Sequence, residues 1–224
     1  MGINTYNEKP LHAAVKQWCA QPGARFEVSL DNYIIDLVQD DTLIEVQTGG
    51  FSSIRSKLFE LLKNHRVRLV LPIAAEMWII KLPRQAGEKR KRRKSPKRCG
   101  FEHLFEELVS FPKMITEPGF SLEVLLVKED QVREYSGRKG WRRKGWLIKE
   151  RRLIEVVDRH IFRTPEDMKE LLPDELPEPF TTAHLAEALG RPRRLAQQMA
   201  YCLRKMDVLA VNGKSGNAYL YEIN

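Results

Sequence analysis

Residues 33–47 read YIIDLVQDDTLIEVQ, and the fold turns on how this stretch pairs with itself. Two apolar runs flank a polar turn at Gln39, Asp40 and Asp41, and each run carries one acid, Asp36 in the first and Glu45 in the second. Strand side chains alternate faces, so Ile34, Asp36 and Val38 are expected on one face, as are Leu43, Glu45 and Gln47. A two-residue loop at Asp40 and Asp41 pairs Gln39 with Thr42 and sets Asp36 opposite Glu45. Opposed residues hold their Cβ atoms about 4.5–5.5 Å apart.

The preceding run, residues 26–30, is followed by the turn pair Asp31–Asn32. A two-residue loop there pairs Leu30 with Tyr33 and places Glu27 opposite Asp36. Glu27, Asp36 and Glu45 then form a row across three strands. The alternative is three acids on a solvent face or a sheet edge, and a bulge would break the row. Like charges side by side destabilise a sheet, and a divalent cation compensates them economically through carboxylate oxygens.

The chain has 224 residues, enough for one large domain or two small ones. No apolar run reaches membrane-span length, and MGINTYNEKP does not read as a signal peptide. Cys19, Cys99 and Cys202 stand singly, which fits reduced thiols in a cytoplasmic protein without a membrane partner. The net charge of +8 is uneven: −1 over residues 1–80, +11 over 81–152 and −2 over 153–224. A central positive patch suggests a polyanion, most simply nucleic acid.

Residues 8–19 read as a helix with Pro10 in its first turn and Glu8 in phase with the apolar stripe. Strands are expected over 25–30, 33–38 and 42–47. Gly49 and Gly50 break the third, and Ser52 or Ser53 can cap a helix reaching about residue 64. Lys57 lies beside that helix's apolar stripe, where its amine can reach the sheet or snorkel to solvent. Further strands are expected over 67–73 and 77–82.

This order resembles the αβββαβ core of the PD-(D/E)xK nuclease superfamily, which includes restriction endonucleases and archaeal-type Holliday junction resolvases. The likeness covers roughly residues 5–82. It implies that Asp36 is the motif Asp, Glu45 the motif acid, and Glu8 the helix acid, with Glu27 an accessory carboxylate. Gln47 stands where the family has Lys, and Ile35 where it has Pro. The resemblance implies Mg2+ or Mn2+ on Asp36, Glu45, Glu27 and Glu8. It also implies a water positioned by Gln47 with help from Lys57, and dimers are common among its members. The implied activity is hydrolysis of phosphodiester bonds in duplex or branched DNA. An inactive nuclease-fold protein that binds DNA or regulates is the alternative, and RNA processing a third reading.

Residues 87–100, GEKRKRRKSPKRCG, hold eight Lys/Arg against one acid and read as a mobile basic loop. Lys89, Arg90, Lys91, Arg92, Arg93 and Lys94 are placed to track a phosphate backbone. Residues 101–111 read as a helix and 122–127 as a strand, completing a first domain over 1–135. A connector over 136–164 repeats RKGW, with Arg138, Arg142 and Arg143 as candidate contacts. Its indoles suit stacking on bases, or docking onto the core. Residues 153–161 read as a helix or strand.

Residues 165–224 read as helix, helix, turn, helix and hairpin, resembling a small α+β winged helix-turn-helix domain. The second helix of such a pair commonly enters the major groove, which makes Arg193, Arg194, Gln197 and the hairpin's Lys214 candidate contacts. The expected fold class is therefore α/β, a restriction endonuclease-like core followed by a winged helix.

Overall fold

The computed structural model describes residues 9–85, 87–137 and 144–224. The chain is mixed α/β: a seven-stranded sheet carries helices on both faces, and a two-stranded hairpin ends the C-terminal part. Helix α1 (Pro10–Cys19) starts with proline, whose missing N–H costs nothing in a first turn. Strands β1 (Arg25–Leu30), β2 (Tyr33–Gln39) and β3 (Thr42–Val46) follow as an antiparallel meander. Both tight turns have the expected register, Leu30↔Tyr33 and Gln39↔Thr42. Asp31 and Asp40 take positive φ, 51° and 49°. Aspartate tolerates this region because its short polar side chain can bond locally.

Helix α2 (Arg55–Leu61) then carries the chain to β4 (Arg66–Lys81), which lies parallel to β3. Strand β6 (Phe120–Tyr135) is parallel to β4, and β7 (Trp146–Phe162) is antiparallel to β6. The order across the sheet is β1-β2-β3-β4-β6-β7.

Four local expectations change. The strands expected over 67–73 and 77–82 are one strand, β4, with a register irregularity between Ala74 and Glu76. Part of the basic stretch read as a mobile loop is strand β5 (Lys91–Lys94), antiparallel to the far end of β4. The cause is the length of β4: β3 stops pairing at Val70, leaving the backbone groups of Trp78–Lys81 to find partners. A short strand of Lys and Arg also suits a sheet edge, because charge discourages further pairing. The helix expected over 101–111 is a 3-10 turn, Phe101–Leu104, followed by the short α3 (Phe105–Leu108). Residues 146–162 of the expected connector are the outer strand of the large sheet.

Two buried apolar clusters sandwich the sheet. On the α1 side Leu11 and Val15 pack with Leu37, Ile44, Val46, Val70, Leu125 and Val127. On the other side Ile35, Val38 and Leu43 pack with Leu58 and Leu61 of α2 and with Phe105 and Leu108 of α3. That second cluster runs without a break into Leu185, Leu195, Met199 and Leu203 of the C-terminal helices. Cys202 lies within it and Cys19 is half-buried; burial pushes both thiols up to about 12.

The C-terminal part comprises α4 (Pro165–Lys169), α5 (Thr182–Leu189), α6 (Arg193–Lys205) and the hairpin β8 (Leu209–Ser215) and β9 (Ala218–Ile223). Thr181 Oγ1 accepts from the N–H of Ala183 at 3.2 Å and of His184 at 3.4 Å, while His184 Nδ1 accepts from the Thr181 N–H at 3.3 Å. This reciprocal cap satisfies N–H groups that helix geometry leaves without partners. Gly190, with φ 61°, ends α5 in the left-handed turn that glycine adopts without strain. Thr181→Ala is expected to cost about 1 kcal/mol. Urea denaturation checks this, and an unchanged midpoint would show that the cap adds nothing.

Candidate active site: an acid fork between two strands

The ladder between β2 and β3 runs from Gln39↔Thr42 to Leu37↔Ile44 and then stops. From there the strands splay, and two acidic side chains take over the freed backbone groups. Asp36 Oδ2 accepts the Val46 N–H at 2.8 Å. The Glu45 carboxylate accepts the Asp36 N–H. Each acid therefore binds the backbone of the opposite strand, in the fork itself.

The pairing is also interrupted on the other side of Asp36. β1 pairs with β2 at Phe26↔Leu37 and Val28↔Ile35, leaving Glu27 between them with φ 53°. The register is the same on either side of this pair, so Glu27 stands opposite Asp36, and the alternation of the strands breaks there without a bulge. Ile35 and Val38 join the α2-side cluster, whereas Leu37 joins the α1 side. The expected shared face of Ile34, Asp36 and Val38 is thus not formed: Ile34 is half-exposed, Val38 is core, and Asp36 enters the fork.

Helix α1 supplies two partners. His12 Nε2 lies 3.1 Å from Asp36 Oδ2, and Lys16 Nζ bonds to Glu27 Oε1. Burial alone would raise the pKa of Asp36, but the His12 contact, the Val46 N–H and the charge of Lys16 bring it below the ordinary carboxylate value. Glu45 shows the opposite balance. Its side chain is 5% exposed, and burial pushes its pKa up to about 7, against Lys57 and with a push from Asp36.

Lys57 Nζ stands 2.5 Å from Glu45 Oε1 and donates to the Ile34 carbonyl at 2.6 Å. It reaches the sheet from α2 instead of lying along the surface. The amine is therefore shared between the buried Glu45 carboxylate and the Ile34 carbonyl. Gln47 shares the face of Glu45, but its amide donates to the Gly49 carbonyl at 2.7 Å and lies 3.4 Å from Ser53 Oγ. Gln47 thereby fixes the loop before α2.

Asp36 and Glu45 are hard oxygen donors of the kind Mg2+ or Mn2+ takes, one met by His12 of α1 and the other by Lys57 of α2. Among the described residues no group of three His, Cys, Asp or Glu is close enough to hold an ion. Mg2+ commonly keeps several waters and takes only one or two carboxylates, so a pair is sufficient in number. Glu27 is engaged by Lys16, and Glu8 lies outside the described residues.

The candidate nucleic-acid residues divide. Arg92 lies 3.0 Å from Asp130, and Lys94 pairs with Glu76. Lys89, Arg90, Lys91 and Arg93 are exposed. Arg138, Arg142 and Arg143 lie outside the described residues, as does Trp141. Trp146 is docked: it is 6% exposed, meets Tyr135 edge-on at 5.5 Å, and is covered by Lys81 at 4.6 Å. Arg193, Arg194 and Gln197 share the exposed face of α6, and Lys214 sits on the hairpin over Tyr219 at 5.1 Å. No helix among the described residues is long and apolar enough to cross a membrane.

His12 and Lys16 were not singled out from the sequence. Their signal is spacing: they stand one helical turn apart, each next to a core residue of α1, Leu11 and Val15.

A family model described as "Domain of unknown function (DUF8091)" matches residues 9–163, the span that contains the fork and the large sheet. A protein of Treponema pallidum (strain Nichols), described as "Uncharacterized protein", is 32% identical over 224 residues, covering 99% of this chain and 87% of its own length. No solved structure matches.

Proposed function

The chain belongs to the DUF8091 family, and we propose that it is a metal-dependent nuclease that hydrolyses phosphodiester bonds of duplex or branched DNA. The observation that carries this reading is the fork: two carboxylates on adjacent strands, held by each other's backbone, with a lysine amine beside one of them. The α1-β1-β2-β3-α2-β4 order, with β4 parallel to β3, supports a restriction endonuclease-like core, and the helix–turn–helix–hairpin order supports a winged helix after it.

Asp36 and Glu45 would hold Mg2+ or Mn2+. Bound there, the ion lowers the pKa of a water and stabilises charge on the leaving oxygen. The remaining work falls to the chain itself. His12 and the Val46 N–H fix the carboxylate of Asp36, and His12 contributes to keeping it ionised. Lys57 brings a positive charge to the place where Gln47 cannot, since an amide carries none. Anchored by the Ile34 carbonyl, its amine is available to a phosphoryl oxygen or an attacking water. Water adds to phosphorus, one P–O ester bond breaks, and the departing oxygen takes a proton.

A specific observation favours a second reading, a DNA-binding protein without activity. Each of the three acids already faces a basic side chain: Asp36 has His12, Glu27 has Lys16, and Glu45 has Lys57. Incubation of the purified protein with supercoiled plasmid separates the two. Nicking that needs Mg2+ or Mn2+ and stops with chelator supports the nuclease. Duplex binding without cleavage in either metal supports the binder.

A further inference from the structure

We propose that only one face of the distal sheet, the one carrying Lys81, Lys91 and Arg93, binds the phosphate backbone of double-stranded nucleic acid. This deepens the nuclease reading by assigning where its substrate is gripped away from the fork. Paired residues on neighbouring strands share a face and successive residues alternate. Lys81 pairs with Lys91 and with Arg133, and Ile79 pairs with Arg93, so these four cations lie together. Trp78 pairs with Lys94 and with Asp130, and Ile80 with Arg92, so those residues lie on the opposite face.

The two faces differ in how their charge is met. On the Trp78 side, Arg92 binds Asp130, Lys94 binds Glu76 and Lys128 binds Glu155, so that face is neutralised from within. On the other side Lys81, Arg84, Lys91 and Arg93 form no ion pair among the described residues. The acid lining the cleft of about 280 Å³ shared by Lys81, Arg84 and Lys91 is Glu88, whose carboxylate accepts the Arg84 backbone N–H at 2.9 Å. Partial burial and the charges of Arg84, Arg93, Arg133 and Lys91 all hold the pKa of Lys81 below its ordinary value. A fold that gathers repelling cations without acids leaves them for an external anion.

Two features select the backbone of a duplex over the bases of a single strand. Trp146 is capped by Lys81 and Arg84, with Arg84 also 3.9 Å from the ring centre of Tyr135, so its indole face is covered. Sequence-tolerant single-strand binding relies on open aromatic faces. Lys81 also lies twelve residues along β4 beyond Leu69, the partner of Glu45. At about 3.3 Å per residue that is close to 40 Å, a reach that suits a stiff duplex.

The test is a salt titration of binding to a fluorescent blunt duplex, followed by anisotropy with chelator present so that nothing is cut. Two double variants differ only in the face they alter. Lys91→Gln with Arg93→Gln is expected to flatten the plot of log affinity against log salt by about 1.8, two phosphate contacts at about 0.9 each. Arg92→Gln with Lys94→Gln is expected to leave that slope at the wild-type value. The proposal is overturned if both variants change the slope alike, if neither does, or if the first weakens single-strand binding more than duplex binding. Failure of the wild type to bind duplex overturns it together with the nuclease reading. A face-specific slope change in a protein that never cleaves leaves this inference standing and removes the nuclease alone.

Discussion

Asp36→Asn and Glu45→Gln are each expected to lower Mg2+-dependent cleavage of duplex DNA by more than about 100-fold, since loss of even an outer partner of a metal site costs 10–100-fold. Both changes keep side-chain size. The introduced asparagine would still offer an oxygen to the Val46 N–H, and the introduced glutamine would still accept the backbone N–H of residue 36, so the fork is preserved while a negative charge is removed. Binding to duplex should change little, because the cations proposed to meet phosphate are elsewhere on the molecule. Wild-type cleavage rates in either variant would remove these carboxylates from the chemistry. A circular dichroism spectrum like that of the wild type excludes unfolding as the cause of any loss.

Lys57→Met is expected to destabilise the metal-free protein by about 3–5 kcal/mol at pH 8, the usual cost of leaving one partner of a buried ion pair alone. Both side chains are largely shielded, Lys57 at 18% exposed and Glu45 at 5%. The pH dependence follows from Glu45, whose pKa is raised to about 7 in the folded chain. The folded state then holds its proton more tightly than the unfolded state. The stability that proton brings is complete below the ordinary glutamate value and is lost as pH rises through about 7. Without Lys57 the loss continues to higher pH, so the gap between variant and wild type should be smaller near about pH 5.5 than at pH 8. Adding Glu45→Gln should recover most of the stability, because an amide needs no counter-charge. Urea denaturation at the two pH values with chelator measures this. A variant within about 0.5 kcal/mol of wild type at both would mean that Lys57 is an ordinary surface lysine.

The meander was legible because Asp31–Asn32 and Asp40–Asp41 can each form a two-residue loop, and such loops leave one register. Once Leu30 faces Tyr33 and Gln39 faces Thr42, the three acids must fall on neighbouring strands. What alternation could not reveal is the break at Asp36, which coincides with a positive φ at Glu27 opposite it. The expectation that Asp36, Glu27 and Glu45 need an external cation also missed three basic side chains of the chain itself. His12 and Lys16 come from α1 and Lys57 from α2, and a strand-by-strand reading does not bring those helices to the fork.

Away from the fork, apolar pattern decided what could be read. Residues 122–127 are apolar enough to announce a strand, whereas the continuation of β6 to Tyr135 is rich in charged residues that meet partners on β5 and β7. Strand β5 has no apolar residue; it exists because β4 is longer than β3. The C-terminal helices were the most legible, since the Thr181 cap, Gly190 and Pro192 mark their ends in one dimension.

Calorimetric titration of the metal-free protein with Mn2+ is the most direct measurement of whether the fork is a metal site. One ion bound by the wild type, with the heat abolished in both Asp36→Asn and Glu45→Gln, is the predicted result. No heat in the wild type, or equal heat in all three proteins, would contradict it and leave Lys57 as the permanent counter-charge of Glu45.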